Sequence, residues 1–549
     1  MKLTDFKKTS GKYPEKMYSS PENREETVKI LLEDAKCAKS GTEQYFQKMK
    51  SYYDGTHMAE TATGRFLADA GIPWKPATLP DGYMHVESQI EAELPDFEFS
   101  GREESDAIKA ELREQVVKYV CDNADMTRKN ASNERRLNLY GTAVWKVSVG
   151  VGDEGEEIIV DNPSPEMIYP DPSAVTVDEC EYIGYVYNMS VIKAERVFEY
   201  ELSKLGTTIS ELASEGGRES DISDTVEIVE WWYRQPTDGE QMCEYVSGGK
   251  TVKDVCRYKA GDIAFSLLVC GREIKNVPKF WDKTECNKYP FVIYNKTPRD
   301  GSIWGKSELE AIIPLIEAAD RQMAFAQLNT AFAANDIVVY EENAFSSDSY
   351  PDNSPGAAWK LRPGMIDKVK RLGGLASDNI AHYEIVEKYR TLMKDALGNY
   401  DYLQGSATSQ VTTATGLALL SDRANKRMSA KQVCKKAGFE RLYRLIDYLA
   451  LEIFGEKMLN KIIGDGSVSY GYGKDGYLPP LDVTVNVGDG VENSRSFTMS
   501  ALGELITTSI TAENYPIIRA YISTLEIPER AEIFEALDKK FKNEEGEAQ

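Results

Sequence analysis

Two glycine-containing stretches have spacings close to those of phosphate-binding loops. Gly150–Gly155 fits G-x-G-x-x-G, but residues 156–160 behind it alternate like a second strand, so a phosphate would meet no helix N-terminus. Gly301–Ser307 opens a helix, yet it has three residues between its glycines where a phosphate loop needs four, and Ile303 and Trp304 are bulky for a tight turn around an anion. We therefore predict a β-hairpin at the first stretch. A nucleotide-dependent enzyme built on the second stays open as an alternative that the spacing disfavours.

Histidine, a common general base and metal ligand, is nearly absent. His57, His85 and His382 lie far apart, and no cluster of cysteine or aspartate surrounds them. We therefore expect no catalytic residues, no metal and no cofactor. The eight cysteines are scattered without a C-x-x-C pair, which predicts reduced thiols.

The composition indicates a soluble, multidomain, acidic protein. A chain of 549 residues exceeds a single ordinary core, so two or more domains are expected. Its net charge of -24 argues against a general nucleic-acid-binding surface, which would be basic. No apolar run reaches membrane-spanning length, and Met1–Ser10 has no apolar core, so we expect neither a membrane segment nor a signal peptide.

The chain up to residue 300 has the pattern of a mixed α+β region. Amphipathic helices are predicted at 24–50, 85–94 and 106–121, and one more at 190–205. A proline-rich stretch, Asn162–Pro172, is predicted to be a rigid connector rather than a strand. Alternating patterns predict strands at 143–149, 156–160, 181–187, 225–233, 252–258, 265–270 and 291–294.

Residues 301–463 contain the longest helical patterns. A capping box at Ser307–Glu310 should open a helix that runs to about Ala333 and kinks at Pro314. A strand at 336–340 and an insert rich in Pro, Gly, Ser and Asp separate it from a second helix at 381–397. A small, polar stretch follows, which we predict to be an exposed loop.

A long helix is predicted from about Leu417 to Ile463, and its first half is basic. That half carries eight basic residues against Asp422 and Glu440, and eight minus two is +6 in a chain of net charge -24. The basic residues are Arg423, Lys426, Arg427, Lys431, Lys435, Lys436, Arg441 and Arg444. Beyond it, a strand at 481–487 and short helices from 494 to 542 are expected.

This order of elements resembles the portal proteins of tailed bacteriophages, in particular the kind common in phages of Gram-positive bacteria. The matching segments are Trp304–Leu309 entering a helix, Thr413–Gly416 closing the polar loop, and Arg423–Phe454 in the long helix. The resemblance implies a mixed α+β portal fold. Its divisions are 1–300 for N-terminal helices and an α/β wing, 301–333 for the first stem helix, 334–380 for a β-containing clip, 381–399 for the second stem helix, 400–416 for a tunnel loop, 417–463 for the long wing helix, and 464–549 for a helical crown and tail.

The same resemblance implies a function without catalysis. A portal is a homo-oligomeric ring, usually of twelve copies, at one capsid vertex of a virion assembled in the bacterial cytoplasm. Double-stranded DNA passes through it, without sequence specificity, during packaging and ejection. The implied partners are the terminase large subunit, a head-completion or adaptor protein at the clip, and the major capsid and scaffolding proteins at the wing, with no membrane. Another ring-forming virion adaptor is a second alternative.

Two groups of residues are candidates for contact with that DNA. The tunnel loop would present Ser406, Thr408, Ser409, Gln410, Thr412 and Thr413. For the basic half of the long helix two interpretations stay open. In the first interpretation, which we favour, it forms a solvated or salt-bridged face that includes contacts with a neighbouring subunit. Alternatively, some of its cations face DNA phosphates: Arg423, Lys426, Arg427 and Lys431.

Overall fold

The computed structural model describes residues 17–69, 80–102, 106–152, 155–215, 225–247, 250–284, 286–334, 337–346, 360–372, 379–397, 414–454, 458–459, 462 and 481–486. Its helices are α1 Pro21–Asp54, α2 Ala62–Asp69, α3 Asp81–Glu87, α4 Ala107–Asn123, α5 Met126–Tyr140, α6 Val191–Val197, α7 Glu199–Leu205, α8 Ile209–Glu215, α9 Leu309–Ala334, α10 Ile380–Leu397 and α11 Ala414–Ile453. Its strands are β1 Asp96–Gly101, β2 Thr142–Gly152, β3 Gly155–Asp161, β4 Ile168–Pro170, β5 Tyr182–Ser190, β6 Thr225–Arg234, β7 Gly239–Ser247, β8 Lys250–Tyr258, β9 Ile263–Val269, β10 Arg272–Val277, β11 Phe291–Asn295, β12 Ile337–Tyr340, β13 Val369–Leu372 and β14 Leu481–Asn486. The mixed α+β class predicted from the sequence is confirmed.

The chain divides into two compact units. The larger comprises residues 1–94, 98–397 and 437–484, and the smaller comprises 95–97, 398–436 and 485–549. The packing described below belongs to the larger unit. In the part of the chain that the structure describes, no helix combines the length and apolar character needed to cross a membrane.

A five-stranded antiparallel sheet, ordered β10-β9-β6-β5-β4, has helices on both faces. Successive side chains of a strand point to opposite faces, and β6 divides accordingly. Trp231 and Tyr233 pack with α1, whereas Val226 and Ile228 pack with the layer formed by α6, α7 and α8. The near-continuous burial of β6 follows from this double cover.

A second sheet, ordered β11-β2-β3, carries the predicted hairpin. Gly152 pairs with Gly155 across the turn, so the G-x-G-x-x-G stretch is a β-hairpin, as predicted. Helix α5 packs beside β2, where Asn133 donates to the carbonyl of Val144 at 3.0 Å. The later half of α11 packs near β11, with Gly438 against the ring of Tyr294. This sheet is therefore fixed by helices that are far apart in the chain.

Two predicted helices before residue 300 are wrong in extent. The helix expected at 85–94 is α3, Asp81–Glu87. Beyond it, side-chain amides hold the chain in a non-helical form: Asn138 donates to the carbonyl of Gln89, and Asn130 donates to the carbonyls of residues 91–93. The helix expected at 190–205 breaks into α6 and α7 at Phe198, whose ψ is 17°. The buried stripe continues across that break, so periodicity could not reveal it.

Several strands were not predicted, among them β4 and β7. The stretch predicted as a rigid connector contains β4, Ile168–Pro170, at the edge of the five-stranded sheet. An edge tolerates proline because its outward side needs no N–H donor. Strand β7, which pairs with β8, was not predicted, because its sequence, Gly239–Ser247, lacks an apolar alternation.

The helices after residue 300 follow the predicted order. Helix α9 continues through Pro314, the β12–β13 pair follows, and α10 comes next. Helix α11 ends at Ile453 rather than at Ile463. The carboxylate of Glu452 there accepts hydrogen bonds from the backbone N–H groups of residues 282–284, at 2.8–2.9 Å, which fixes the helix end to a loop. Strand β14 lies in the stretch predicted at 481–487, and the helices expected at 494–542 lie outside the described residues.

Candidate functional site

The entry to α9 is held by a network that differs from the predicted capping box. The hydroxyl of Ser307 accepts from the N–H of Leu309 at 3.1 Å and donates to the carbonyl of Asn138 at 3.0 Å. Glu310 does not close the box. The N–H of Ser307 already donates to the hydroxyl of Tyr45 at 2.8 Å, and that hydroxyl in turn donates to Glu310 at 3.2 Å. Tyr45 of α1 therefore accepts the hydrogen bond from the Ser307 N–H that the predicted capping box assigned to Glu310.

The stretch Gly301–Ser307 directs its backbone donors inward. Five of its N–H groups donate within the protein: Ser302 to the Arg299 carbonyl at 3.2 Å, Trp304 to the Ser302 hydroxyl at 3.1 Å, Gly305 to the Thr142 hydroxyl at 2.9 Å, Lys306 to the Thr297 carbonyl at 2.8 Å and Ser307 to the Tyr45 hydroxyl. Gly305 also lies against the backbone of Gly141 so closely that a Cβ atom on either glycine would overlap the other segment. A phosphate loop needs its N–H groups directed at the ligand, so this geometry argues against the nucleotide-binding alternative.

A charge cluster around the buried Lys296 lies beside this entry. The ammonium group of Lys296 is 2.6 Å from the carboxylate of Glu308 and donates to the side-chain oxygens of Gln89 and Asn138 at 2.5 and 3.0 Å. Burial by itself would raise the pKa of Glu308, but His85 and Lys296 lower it to about 2. Glu308 is therefore held as a carboxylate directly before the first turn of α9, at the helix N-terminus, where an anion is favoured by the helix dipole.

The N-terminal helices wrap the middle of α9. Leu67 of α2 packs with Ala324 and Leu328, and the hydroxyl of Tyr52 donates to Glu317 at 2.5 Å. His57 lies 2.7 Å from Asp320 through its Nε2 atom. Within this part of the described chain, α9 behaves as a core helix with polar ties at intervals of about one turn.

Helix α10 is held on one side by polar and apolar contacts with α9. His382 bridges to it, with its Nδ1 2.8 Å from the Gln322 side-chain oxygen and its Nε2 3.2 Å from the Asn329 amide nitrogen. The opposite side of α10 is exposed. Ile380 is 69% exposed and Leu392 is 50% exposed. The helix therefore presents apolar side chains that the described residues of its own chain leave exposed.

The tip between α9 and α10 is a small β element. Strands β12 and β13 pair antiparallel, and an isolated bridge joins Phe345 to Leu361. Tyr340 and Ile366 are exposed, the latter at 74%. A two-stranded pair of this size has little core of its own, so it needs support from packing outside itself.

The predicted DNA-facing residues are not placed by these contacts. The polar loop, with Ser406, Thr408, Ser409, Gln410, Thr412 and Thr413, lies outside the described residues. Arg423, Lys426, Arg427 and Lys431 lie on α11, whose backbone is helical there, but their side chains are outside the described set. Their proposed roles stay predictions. In the described ranges, no group of three or more His, Cys, Asp or Glu side chains is arranged to hold a metal ion.

The comparison with protein families decides the class of this chain. A family model described as phage P22-like portal protein matches residues 82–415, more than half of the sequence. The chain belongs to the P22-like phage portal protein family. The match runs from α3 through α10 and ends at the start of α11, so α1 lies before it. The expectation of a phage portal protein, a structural virion component, is confirmed, and the family is in general not enzymatic.

Solved structures give a weaker likeness, and curated proteins none. The neck of an empty gene transfer agent particle, computed with C6 symmetry, is 12% identical, with a TM-score of 0.36. The virion of a native gene transfer agent particle is 11% identical, with a TM-score of 0.34. In both cases the likeness covers 83% of this portal chain and 99% of the other. No curated protein matches.

Sequence reasoning missed the residues that hold the entry to α9. Lys296 and Glu308 are twelve residues apart, and nothing in that spacing marks a buried pair. Glu317 and Asp320 gave a usable signal, because both are acidic residues in a helix that is mainly apolar. Their partners, Tyr52 and His57, are more than 260 residues away, so only the fold identifies them.

Proposed function

We propose that this portal protein forms a homo-oligomeric ring at one capsid vertex, through which double-stranded DNA is packaged and later ejected. The single observation that carries the proposal is the family match over residues 82–415, which contains the α9, β12–β13 and α10 succession. In this proposal α9 and α10 are the stem helices, residues 334–380 are the clip, and residues 400–416 are the tunnel loop. The sheets with α11 form the wing, and residues 464–549 the crown.

The exposed face of α10 supports assembly from many copies. Ile380, Tyr383 and Leu392 are each at least 50% exposed on a helix that packs on α9 through other positions, such as His382. Uncovered apolar side chains on a stem helix fit contact with the next subunit. In a closed ring that contact is heterologous, so each subunit offers one surface and receives another. By family, twelve copies are expected.

The charge of the chain suits a conduit. Each DNA phosphate that a cation neutralises releases counterions and strengthens binding, so a channel through which DNA must slide should make few such contacts. The net charge of -24 and the small polar residues of the tunnel loop agree with that requirement. The basic half of α11 would then pair mainly with acidic groups of neighbouring subunits, leaving a few cations for DNA.

Partners follow from the position of each part in such a ring. The clip would bind the terminase large subunit during packaging and a head-completion or adaptor protein afterwards. The wing would contact the scaffolding and major capsid proteins during assembly in the bacterial cytoplasm. The exposed Tyr340 and Ile366 make the clip a suitable surface for successive partners.

The experiment removes the tunnel loop. Deletion of Ser406–Thr413 should leave ring assembly intact, seen by electron-microscope class averages and light scattering of the 61.5 kDa chain. DNA packaging or retention should fall. The matched control removes the same number of residues from the acidic end, 542–549, and should package normally. Normal packaging by the loop deletion would contradict the proposed role of the loop, and absence of any ring with scaffold present would contradict the proposal as a whole.

A further inference from the structure

Helix α1 contacts two parts of the larger unit, the five-stranded sheet and the entry to α9. It is 34 residues long, which corresponds to about 50 Å at 1.5 Å per residue. Its first half lies on the five-stranded sheet, and its last turns lie at the entry to α9. It also precedes the residues that match the portal family, so the family match assigns it no role.

The first half of α1 is firmly attached to the sheet. The guanidinium group of Arg24 makes two hydrogen bonds of 2.6 Å to the carboxylate of Glu273 on β10, and both side chains are buried. Leu31 and Leu32 are buried against Trp231 and its neighbours. A buried, two-point ion pair loses several kcal/mol if one partner is removed, so this end cannot move without disturbing the sheet.

The last turns of α1 are attached equally firmly to the stem. Phe46 and Met49 are buried, and the Phe46 ring meets Trp304 edge-on at 5.9 Å. Tyr45 accepts from the N–H of Ser307, and Tyr52 donates to Glu317 of α9. This end therefore moves with the first turns of α9.

The centre of α1 is its weakest part. Ser40, Gly41 and Thr42 all have lower helix propensity than alanine, and Gly41 alone costs about 1 kcal/mol relative to alanine. The Ser40 hydroxyl donates back to the Cys37 carbonyl at 2.8 Å, an interaction that competes with the helical backbone hydrogen bonds. Gly41 is exposed, and an added Cβ would have nothing within 4 Å. Packing therefore does not require the glycine.

A fixed point lies directly beside this weak centre. The ammonium group of Lys39 donates to the carbonyls of Pro165 and Glu166 at 2.8 and 2.6 Å and lies over the ring of Tyr169. The helix is thus held at both ends and near its middle, and the turn next to the middle contact has the low helix propensity described above.

We propose that α1 couples the five-stranded sheet to the entry of α9. In this proposal Ser40–Thr42 is a compliant turn, and its stiffness sets the strength of the coupling. A disturbance at Arg24 then loosens the first turns of α9, and a disturbance at Tyr52 loosens β10. Stiffening the central turn strengthens both effects. The coupling is a property of the single chain and does not depend on the proposed ring or on DNA.

Hydrogen exchange of the full-length protein tests this coupling. Arg24→Lys keeps the charge but loses the two-point contact, and it should speed exchange in residues 305–316 as well as in 263–277, by about fivefold, the factor that 1 kcal/mol produces. Tyr52→Phe is a milder change at the other end of α1. It should speed exchange in residues 305–316, near the substitution, and also in the remote residues 263–277. Arg128→Ala, which removes an exposed ion pair with Asp125, is the control and should change neither region.

The central turn has its own test. Gly41→Ala should slow exchange in residues 37–46 by about fivefold, since alanine stabilises a helix by about 1 kcal/mol over glycine. Combined with Arg24→Lys, it should enlarge the effect on residues 305–316. If Arg24→Lys and Tyr52→Phe each change exchange only near their own end, α1 does not couple the two regions. If Gly41→Ala leaves the remote effect of Arg24→Lys unchanged, Ser40–Thr42 does not set its strength.

Discussion

Helices α9 and α10 have similar sequence periodicity but different surroundings. Leu309, Ile312 and Ile316 of α9 are at most 2% exposed, because the N-terminal helices and the sheets cover it. On α10, burial is confined mainly to the side near α9, and Ile380 is 69% exposed. The comparison shows that an apolar stripe in a sequence identifies a helix face that needs a partner. It does not say whether the partner belongs to the same chain.

The largest expected difference between these helices comes from a matched isoleucine pair. Ile312→Ala on α9 removes a fully buried side chain and should lower the free energy of unfolding by about 2–5 kcal/mol. Ile380→Ala on α10 should change it by about 0.5 kcal/mol or less. Urea unfolding of the purified chains measures both. Equal losses at the two positions would mean that α10 is covered within its own chain.

The charge at the entry to α9 should give a pH-dependent effect. The pKa of Glu308 is about 2 in the folded chain against an ordinary value of 4.5. Because the folded pKa is the lower one, the stabilisation is complete above about 4.5 and is lost as the pH falls from there towards 2. At pH 7, Glu308→Gln should cost about 2 kcal/mol, a value reduced for the 30% exposure of the carboxylate.

The same variant should also flatten the acid dependence. Urea unfolding at pH 7 and at pH 3 measures this, because the difference between wild type and Glu308→Gln should shrink at the lower pH. Glu384→Gln, an exposed carboxylate on α10, serves as the control. A constant difference at both values of pH would show that the carboxylate contributes through packing rather than charge.

The polar tie between the two helices should have a smaller effect. His382→Phe keeps a ring of similar size but removes the contacts with Gln322 and Asn329, so it should cost about 1 kcal/mol of unfolding free energy. Tyr383→Phe, at the exposed neighbouring position, should cost nothing measurable. The urea midpoints of the two variants decide. If they shift equally, the bridge from His382 does not hold α10 to α9.

The smallest effect on stability should accompany a large effect on assembly. Leu392→Ser on the exposed face of α10 should leave the unfolding free energy within about 0.5 kcal/mol. It should reduce the yield of rings in class averages, because it removes apolar contact with the proposed neighbouring subunit. Lys388→Ser on the same helix is the control. Rings of normal yield and stability would place the subunit contact elsewhere.

Sequence patterns predicted the elements better than the site. The apolar spacing of Leu309, Ile312 and Ile316 was sufficient for α9, and alternation was sufficient for β2, because both signals are local. The ties at the entry to α9 were not predictable, since Tyr45 and Ser307 are brought together only by the fold. Helix α5 was not predicted, for a related reason. Asn130, Asn133 and Asn138 are buried there, and their amides bind distant carbonyls instead of facing solvent.

The contact between Gly141 and Gly305 has a consequence for the particle under changing conditions. It joins two backbones without any ionisable group, so neither acid nor salt weakens it. The neighbouring pair of Lys296 and Glu308 loses its attraction in strong acid. The base of α9 should therefore loosen on acidification without slipping to a new register, and it should return to the same position when neutral pH is restored.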